Sequence, residues 1–224
     1  MSTFESTDNP IRRHGDTAAR DRTRSLLGQV MGLVTLTIGC AALGAYVGRD
    51  LSGGAGLVLF IGAIGCIVGL NLATARGAEQ SAIGLLFGTG LFVGLAVAPV
   101  IADYAEADPS ALWQAAGATA LFVAAFGTYG YATRRDLSSW ARTLFWALVG
   151  LIAFGLVAIF VSIPSSHIIY CIGGLGIFGA FTIFDFNRLR RSTSDAAVPI
   201  AAAIFLDVFN VFLLTLNLFG GQRI

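Results

Sequence analysis

Long apolar segments separated by short polar ones fill most of the chain. The longest stretch, Thr143 to Phe184, has 42 residues without a single Asp, Glu, Lys or Arg. Four further apolar segments precede it, at about 26–48, 55–75, 81–102 and 110–133. A helix of about 20 mostly apolar residues crosses the hydrocarbon core of a bilayer. Each of the four segments therefore predicts one membrane span, and the longest stretch must hold two.

The longest stretch is expected to fold back at Pro164. Proline removes a backbone donor from a helix and restricts the residue before it. The break predicts a fifth span near 141–163 and a sixth near 166–187. A seventh span near 196–219 has Pro199 in its first turn, where proline is tolerated.

The spans are expected to be helices, because only helices and closed barrels satisfy their backbone groups in lipid. Barrel strands would alternate polar and apolar residues, and these segments do not. Glycines spaced four apart, such as Gly90 and Gly94, allow helices to pack closely. The sequence thus predicts an all-α polytopic membrane protein. A seven-transmembrane-helix bundle over 26–220 would follow a polar arm, residues 1–25, that is disordered or loosely helical.

The arginines predict the orientation in the membrane. All 14 basic residues are arginines, and 12 of them fall on one side if seven spans follow the arm. The connection over residues 103–108, on the opposite side, carries only acidic charges. Because basic residues are enriched in cytoplasmic loops, we expect the N-terminus in the cytoplasm.

The composition narrows the class of protein further. Only 12% of the residues are charged and the mean hydropathy is +0.78, whereas soluble domains have about 25% charged residues. An ordinary soluble enzyme, a disordered protein and a nucleic-acid binder are excluded. The glycine pattern from Gly174 to Gly179 fits a dinucleotide-binding motif, but it lies inside a span rather than between a strand and a helix. No cofactor is therefore expected.

Two acidic residues, Asp185 and Asp207, fall inside the predicted spans. Carboxylates at membrane depth are costly and usually face the bundle interior at a functional site. Asp207 lies roughly 12 Å into the seventh span at 1.5 Å per residue, and Asn210 shares its helix face as a supporting polar residue. Asp185 ends the sixth span, and it is either a second interior acid or an interfacial residue beside Arg188.

A hairpin of the last two helices would place Asp185 and Asp207 in the same, cytoplasmic half of the membrane. Two carboxylates in a poorly solvated site cannot both ionise cheaply, so a close pair would share a proton near neutral pH. Deprotonation would leave a repulsion that a cation relieves. Ca²⁺ prefers six to eight oxygen ligands, and two carboxylates supply at most four. The pair therefore predicts a weak calcium contact, which suits permeation.

Arg76 ends the second span on the same side of the membrane. Two interpretations are open for its long side chain. It either extends to the lipid headgroups or reaches inward to a carboxylate and latches the site closed.

Four motifs carry a family resemblance: GLAVAP at 94–99, GYATRRDLS at 130–138, FDFN at 184–187 and AAIFLDVFNVF at 202–212. Together they resemble the Bax inhibitor (transmembrane Bax inhibitor motif) family in its bacterial branch, over roughly residues 20–220. The chain has Phe184 and Phe205 where tyrosine is common in the family. It also lacks the inward-facing glutamate sometimes seen in the second span.

The resemblance implies a pH-sensitive calcium-leak channel in the bacterial inner membrane. Asp185 and Asp207 would form a di-aspartyl proton sensor with a weak Ca²⁺ contact, and Arg76 would be the latch. The protein would not be an enzyme and would need no resident cofactor, because Ca²⁺ is its permeant ion. The lipid bilayer, Ca²⁺ and protons are its expected partners, and other membrane proteins are left open.

Two other classes of function use buried acids. Intramembrane aspartyl proteases also work with two aspartates, but they resemble one another in a Gly-x-Gly-Asp motif, and no glycine precedes Asp207 here. A proton-coupled transporter fits membrane acids, although no inverted repeat is visible. A regulatory partner of membrane proteases or stress pathways is the remaining alternative.

Overall fold

A computed structural model describes residues 10–51, 53–161 and 164–221, with the backbone alone described for residues 10–23 and 53. Within these ranges the chain forms seven α-helices, a short 3₁₀ helix (Ser194–Ala196) and no strand. The α-helices are α1 (Pro10–Val47), α2 (Gly53–Ala75), α3 (Glu79–Ala107), α4 (Pro109–Ala132), α5 (Trp140–Phe160), α6 (Ser166–Arg191) and α7 (Ala197–Phe219). Each contains a segment long and apolar enough to cross a membrane. The prediction of an all-α, seven-helix membrane bundle is confirmed.

Three helices extend beyond the predicted spans. The helix α1 begins at Pro10, so the described part of the polar arm is helical, and residues 1–9 lie outside the described residues. The helix α3 continues to Ala107, and the expected acidic connection shrinks to Asp108, whose Oδ1 accepts a hydrogen bond from the N–H of Ala111 at 3.3 Å. The helix α6 continues to Arg191. Hydropathy marks where lipid ends, whereas a helix can continue into water as long as its own hydrogen bonds persist.

The predicted break in the longest apolar stretch is confirmed. The helix α5 ends at Phe160 and α6 begins at Ser166, with Pro164 in the turn between them. Ser165 adopts a left-handed conformation with φ of 57° immediately before α6. The chain therefore reverses here and returns across the bundle.

The last helix lies at the centre of the bundle. The helix α3 packs between α1 and α2, and α6 packs between α4 and α5. Between these two groups stands α7, which contacts α1, α2, α3, α4 and α6. Its most apolar segment is 56% buried, against 11% for those of α2 and α5. A polar residue on α7 is therefore surrounded by protein rather than lipid.

Small residues set the close packing of α1 on α3. A Cβ atom at Gly94 would clash with the carbonyl oxygen of Ala41, and one at Gly90 would lie 2.5 Å from the carbonyl oxygen of Thr37. The predicted role of the four-spaced glycines is confirmed for this pair, because only glycine permits such an approach of two helix backbones.

Candidate functional site

Asp185 on α6 and Asp207 on α7 face each other inside the bundle. Their carboxyl groups lie within hydrogen-bonding reach of one another, and each residue is only 4% exposed. Asp207 Oδ2 is fully buried and has no hydrogen-bond partner within the described part of the chain. The structure thus buries Asp185 against Asp207, and its depth relative to the membrane interface stays a prediction.

The Thr182 hydroxyl and the Asn210 amide do not donate to the pair. The Thr182 hydroxyl donates to the carbonyl oxygen of Phe178, one turn back on α6. The Asn210 amide donates to the carbonyl oxygen of Leu206 on its own helix, at 2.7 Å. The Asn210 amide is therefore hydrogen-bonded within α7. Its role as a supporting polar residue for the aspartate pair stays a prediction. Asp207 Oδ2 is therefore a buried acceptor without a donor among the described residues, and such a group is costly.

One cation acts on the pair from the membrane boundary. Arg188 is near enough to Asp185 to influence it electrostatically, but its side chain is exposed. Among the described residues no ion pair within 4.0 Å joins Arg188 to either aspartate. The pair is therefore not neutralised by a bound arginine in this conformation.

Arg76 is not part of the assembled site. It follows the last residue of α2, is exposed, and forms no ion pair with Asp185 or Asp207 among the described residues. The helix α2 does touch α7, the helix that bears Asp207. The latch role of Arg76 stays a prediction.

A clamp that the sequence reasoning missed fixes the end of α6 beside the pair. Asn187 donates to the carbonyl oxygens of Thr133 at 2.8 Å and Arg135 at 3.2 Å, at the end of α4. Arg190 donates to Thr133 at 2.9 Å, and Arg191 donates to the carbonyl oxygen of Arg134 at 2.6 Å. Carbonyls at a helix end have no partner within the helix, so these donors satisfy them. The FDFN motif thus contains both Asp185 of the acidic pair and Asn187, which anchors the end of α6 to the end of α4.

Glycines of α4 bring its backbone against the same part of α6. A Cβ atom at Gly130 would clash with the carbonyl oxygen of Ile183, and one at Gly127 would lie 3.0 Å from the ring of Phe186. The two glycines are visible in the sequence, but their three-residue spacing does not say which helix lies opposite. The motif at 130–138 therefore supplies the surface against which the end of α6 packs.

The donor set at the pair fits a transient cation contact. Two carboxylates offer at most four oxygens, fewer than Ca²⁺ prefers. No group of three or more His, Cys, Asp or Glu side chains that could hold a metal ion exists within the described residues. What the arrangement can do chemically is share, lose and regain a proton, and meet a passing cation.

Within the described residues, seven helices long and apolar enough to cross a membrane enclose a carboxyl pair between the last two, which defines an integral membrane protein with a buried acidic site. The family described as "Inhibitor of apoptosis-promoting Bax1" matches residues 23–224. The chain therefore belongs to the Bax inhibitor family, as its motifs indicate.

Relatives in bacteria and in a virus agree with this assignment. An uncharacterized membrane protein of Vibrio cholerae is 25% identical over 202 residues, covering 88% of this chain and 90% of the relative. The inner membrane protein YbhL of Escherichia coli K12 is 31% identical over 118 residues, covering 47% and 50%. The Golgi anti-apoptotic protein of vaccinia virus is 32% identical over 163 residues, covering 72% and 67%. None of these three names ascribes an enzymatic activity.

Proposed function

We propose that the protein is a pH-gated calcium-leak channel whose proton sensor is the Asp185–Asp207 pair. The observation that carries the proposal is the contact of two buried carboxyls, one of which has an oxygen without a donor among the residues that the structure describes. Acids inside a membrane usually belong to ion or proton pathways. The relative YbhL is named an inner membrane protein, and we assign this chain to the same kind of membrane.

The closed state follows from one shared proton. With a single proton between them, the carboxyls form a charge-assisted hydrogen bond that ties α6 to α7. Because α7 contacts five other helices, this bond restrains the centre of the bundle. Acid therefore favours the closed channel.

The open state follows from loss of that proton. Two negative charges at hydrogen-bonding distance in a medium of low dielectric constant repel strongly, so α6 and α7 separate. A cation that enters the gap relieves the repulsion, and Ca²⁺ does so better than a monovalent ion because it carries two charges. Leak of Ca²⁺ therefore rises as the pH rises.

Arg76 and Arg188 are the cations placed to modulate this step. Both are exposed at the end of the bundle where α2 and α6 terminate. Following the positive-inside rule, we place this end in the cytoplasm. An inward movement of Arg76 would bring its charge to the ionised pair and close the channel again, which is the latch that we assign to it.

Calcium flux into proteoliposomes tests the proposal. The leak of the wild-type protein is measured from about pH 6 to about pH 8, beside Asp207→Asn and Asp185→Asn. Asp195→Asn is the matched control, since Asp195 is exposed in the turn between α6 and α7. We expect the control to keep the wild-type pH profile and both pair variants to lose it. Equal leak in wild type and Asp207→Asn at every pH would overturn the proposal.

A proton-coupled transporter is the second candidate, because a buried carboxyl pair can also relay protons. In that case Ca²⁺ uptake would move protons in the opposite direction with a fixed stoichiometry, and a pH-sensitive dye inside the vesicles would report it. A channel gives Ca²⁺ flux without such exchange. The vaccinia relative is named an anti-apoptotic protein. A role in cell survival is compatible with either a calcium channel or a proton-coupled transporter.

A further inference from the structure

An apolar groove runs along one side of the bundle, and neither aspartate lines it. It has a volume of about 990 Å³ and is walled by α1, α3 and α4, with α7 as its floor. Its wall on α1 extends from Met31 to Tyr46, about 22 Å at 1.5 Å per residue. One leaflet of the hydrocarbon core is about 15 Å deep, half of the bilayer value. The groove is therefore long enough to take an acyl chain of one leaflet along its length.

The groove opens sideways between α1 and α4. These two helices form its rims without packing on each other in the described part of the chain. Ile38 on α1, and Ala120 and Ala124 on α4, line the groove and are exposed. Because both rims belong to membrane-spanning helices, the opening faces the hydrocarbon of the bilayer. An occupant of the groove therefore enters from the lipid.

The wall of the groove suits an acyl chain better than a partner helix. The hydroxyls of Thr35 and Thr119 donate to the carbonyl oxygens of Met31 and Ala115, one turn back on their own helices. Helices associate in a membrane through close packing and interhelical hydrogen bonds, because lipid tails are as apolar as the helices themselves. An acyl chain needs no hydrogen bond, and the bilayer supplies it in large excess over any protein, which favours its binding by mass action.

Opposite charges stand at one end of the groove. Arg49, just after α1, and Glu106, in the last turn of α3, both line it. No ion pair within 4.0 Å joins the two among the described residues, so both are open to a ligand. The Arg49 guanidinium lies 5.0 Å from the centre of the Tyr46 ring, which also lines the groove. Its ion pair with Asp50, at 3.6 Å, is exposed, and exposed pairs contribute little. A phosphate can therefore replace the Asp50 carboxylate.

A headgroup with a phosphate and a primary ammonium matches these two charges. A guanidinium binds phosphate through two parallel hydrogen bonds, and a carboxylate accepts charge-assisted hydrogen bonds from an ammonium. The ethanolamine headgroup carries both groups a few atoms apart. The glycerol headgroup has only the phosphate, and the quaternary ammonium of choline has no N–H to donate.

We propose that the groove is a binding site for one phosphatidylethanolamine molecule. An acyl chain lies between α1 and α4, the phosphate binds Arg49 and the ammonium binds Glu106. The chain fills the space between two helices that do not pack on each other, so the bound lipid stabilises the folded bundle by mass action. The proposal does not depend on whether the protein conducts calcium.

Native mass spectrometry of the full chain in detergent tests the site. Dioleoyl phosphatidylethanolamine, phosphatidylglycerol and phosphatidylcholine are added separately, so that only the headgroup differs. Ala124→Trp places an indole in the groove. Ala125→Trp is the matched control, since Ala125 is exposed on the same helix and does not line the groove. We expect phosphatidylethanolamine to remain bound to wild type and Ala125→Trp, and its retention to fall at least several-fold in Ala124→Trp.

Equal retention in Ala124→Trp and Ala125→Trp overturns the site, and equal retention of the three lipids by wild type overturns the headgroup assignment. Ala120→Leu, a smaller change in the same wall, is the second variant if Ala124→Trp does not fold. A partial loss of bound phosphatidylethanolamine is expected from it, and full retention overturns the site.

Substitutions at the charged end test the two headgroup contacts separately. Arg49→Gln is expected to lower the retention of all three lipids, because each carries a phosphate. Glu106→Gln is expected to remove the preference for phosphatidylethanolamine. Asp103→Asn is the control, since Asp103 is exposed at the same end and does not line the groove. Unchanged retention in Arg49→Gln, or an unchanged preference in Glu106→Gln, overturns the corresponding contact.

The same spectra report other occupants of the groove. A dimer lost in Ala124→Trp and kept in Ala125→Trp, without bound lipid, shows that a second copy of the chain covers the groove. A second protein lost in the same pattern shows a partner helix packed on α4. Either result overturns the lipid site. None of these measurements involves calcium, so the lipid site and the proposed channel succeed or fail separately.

Discussion

The side-chain amide of Asn187 donates to the carbonyl oxygen of Thr133 at 2.8 Å and so fastens the end of α6 to the end of α4. The bond lies two residues beyond Asp185, on the helix that carries half of the acidic pair. The bond therefore holds the end of α6 against the end of α4 beside the pair.

Asn187→Ala is expected to lower the free energy of unfolding by about 1–3 kcal/mol, the cost of leaving buried polar groups unpaired. Asn187 is 2% exposed and donates to the end of another helix. Asn71→Ala is the matched control, because Asn71 is exposed and bonds only its own helix at Ile67. Thermal unfolding in detergent measures the difference. Equal losses in the two variants would contradict the anchor role.

Gly130→Ala is expected to destabilise the bundle by about 1–3 kcal/mol, as overpacking generally does. The new methyl group would meet the backbone oxygen of Ile183, which cannot rotate away as a side chain can. Gly117→Ala on the same helix meets nothing within 4 Å. It should be neutral or stabilising by up to about 1 kcal/mol from helix propensity. A Gly130→Ala protein as stable as Gly117→Ala would show that α4 and α6 are further apart than described.

The effects of Asp185→Asn and Asp207→Asn on the calcium leak should not be additive in the double variant. Asp185→Asn and Asp207→Asn each abolish the shared proton, so the double variant is expected to give nearly the same calcium leak, at every pH, as either single variant. Residues that act as one unit show such coupling, whereas independent sites add. The leak assay with all three variants measures it. A double variant whose effect equals the sum of the two single effects would show that the carboxyls act separately.

Arg76→Gln is expected to raise the leak near neutral pH, because the cation that returns to the ionised pair is lost. Arg142→Gln is a control of the same kind, since Arg142 is an exposed arginine at the start of α5. The pH profile of the leak, rather than its size alone, is the measurement. A profile unchanged from wild type would mean that Arg76 only extends to the lipid headgroups.

Asp136 should affect stability without affecting the pH gate. Hydrogen bonds from the Ser138 hydroxyl and N–H, and then the Arg191 guanidinium 3.6 Å away, lower the pKa of Asp136 below its ordinary value. Because the folded-state pKa is the lower one, the stabilisation is fully present above the unfolded pKa, about 3.9. It is lost as the pH falls through the folded-state pKa.

Asp136→Asn is therefore expected to lower the unfolding temperature slightly and equally from about pH 6 to about pH 8. The difference from wild type should shrink below about pH 4. Thermal unfolding at neutral and acidic pH measures both parts. A stability difference that changes across the neutral range would show that Asp136 is coupled to another titrating group, and a shifted leak profile would place it within the gate.

Much of the fold could be read from the sequence, because each membrane span is a local property. A helix in lipid must satisfy its own backbone, so an uninterrupted apolar run of sufficient length determines both its position and its type. The break at Pro164 could be predicted from that one residue, because proline lacks the backbone donor that a continuous helix needs. The helix ends were less well determined, as α3 shows by continuing through Asp103 to Ala107. Beyond the lipid boundary, helix and loop have similar free energies in water.

The candidate site was only half determined by the sequence. The scarcity of charge singled out Asp185 and Asp207, because a carboxyl at membrane depth is costly wherever the helix lies. Their contact, the burial of Asp185 and the exposure of Arg76 depend on which helix faces which. That was decided by packing between distant segments, such as Gly130 against Ile183 and Asn187 against Thr133. Side chains buried between helices contact residues that are distant in the sequence, and no local sequence pattern specifies those contacts.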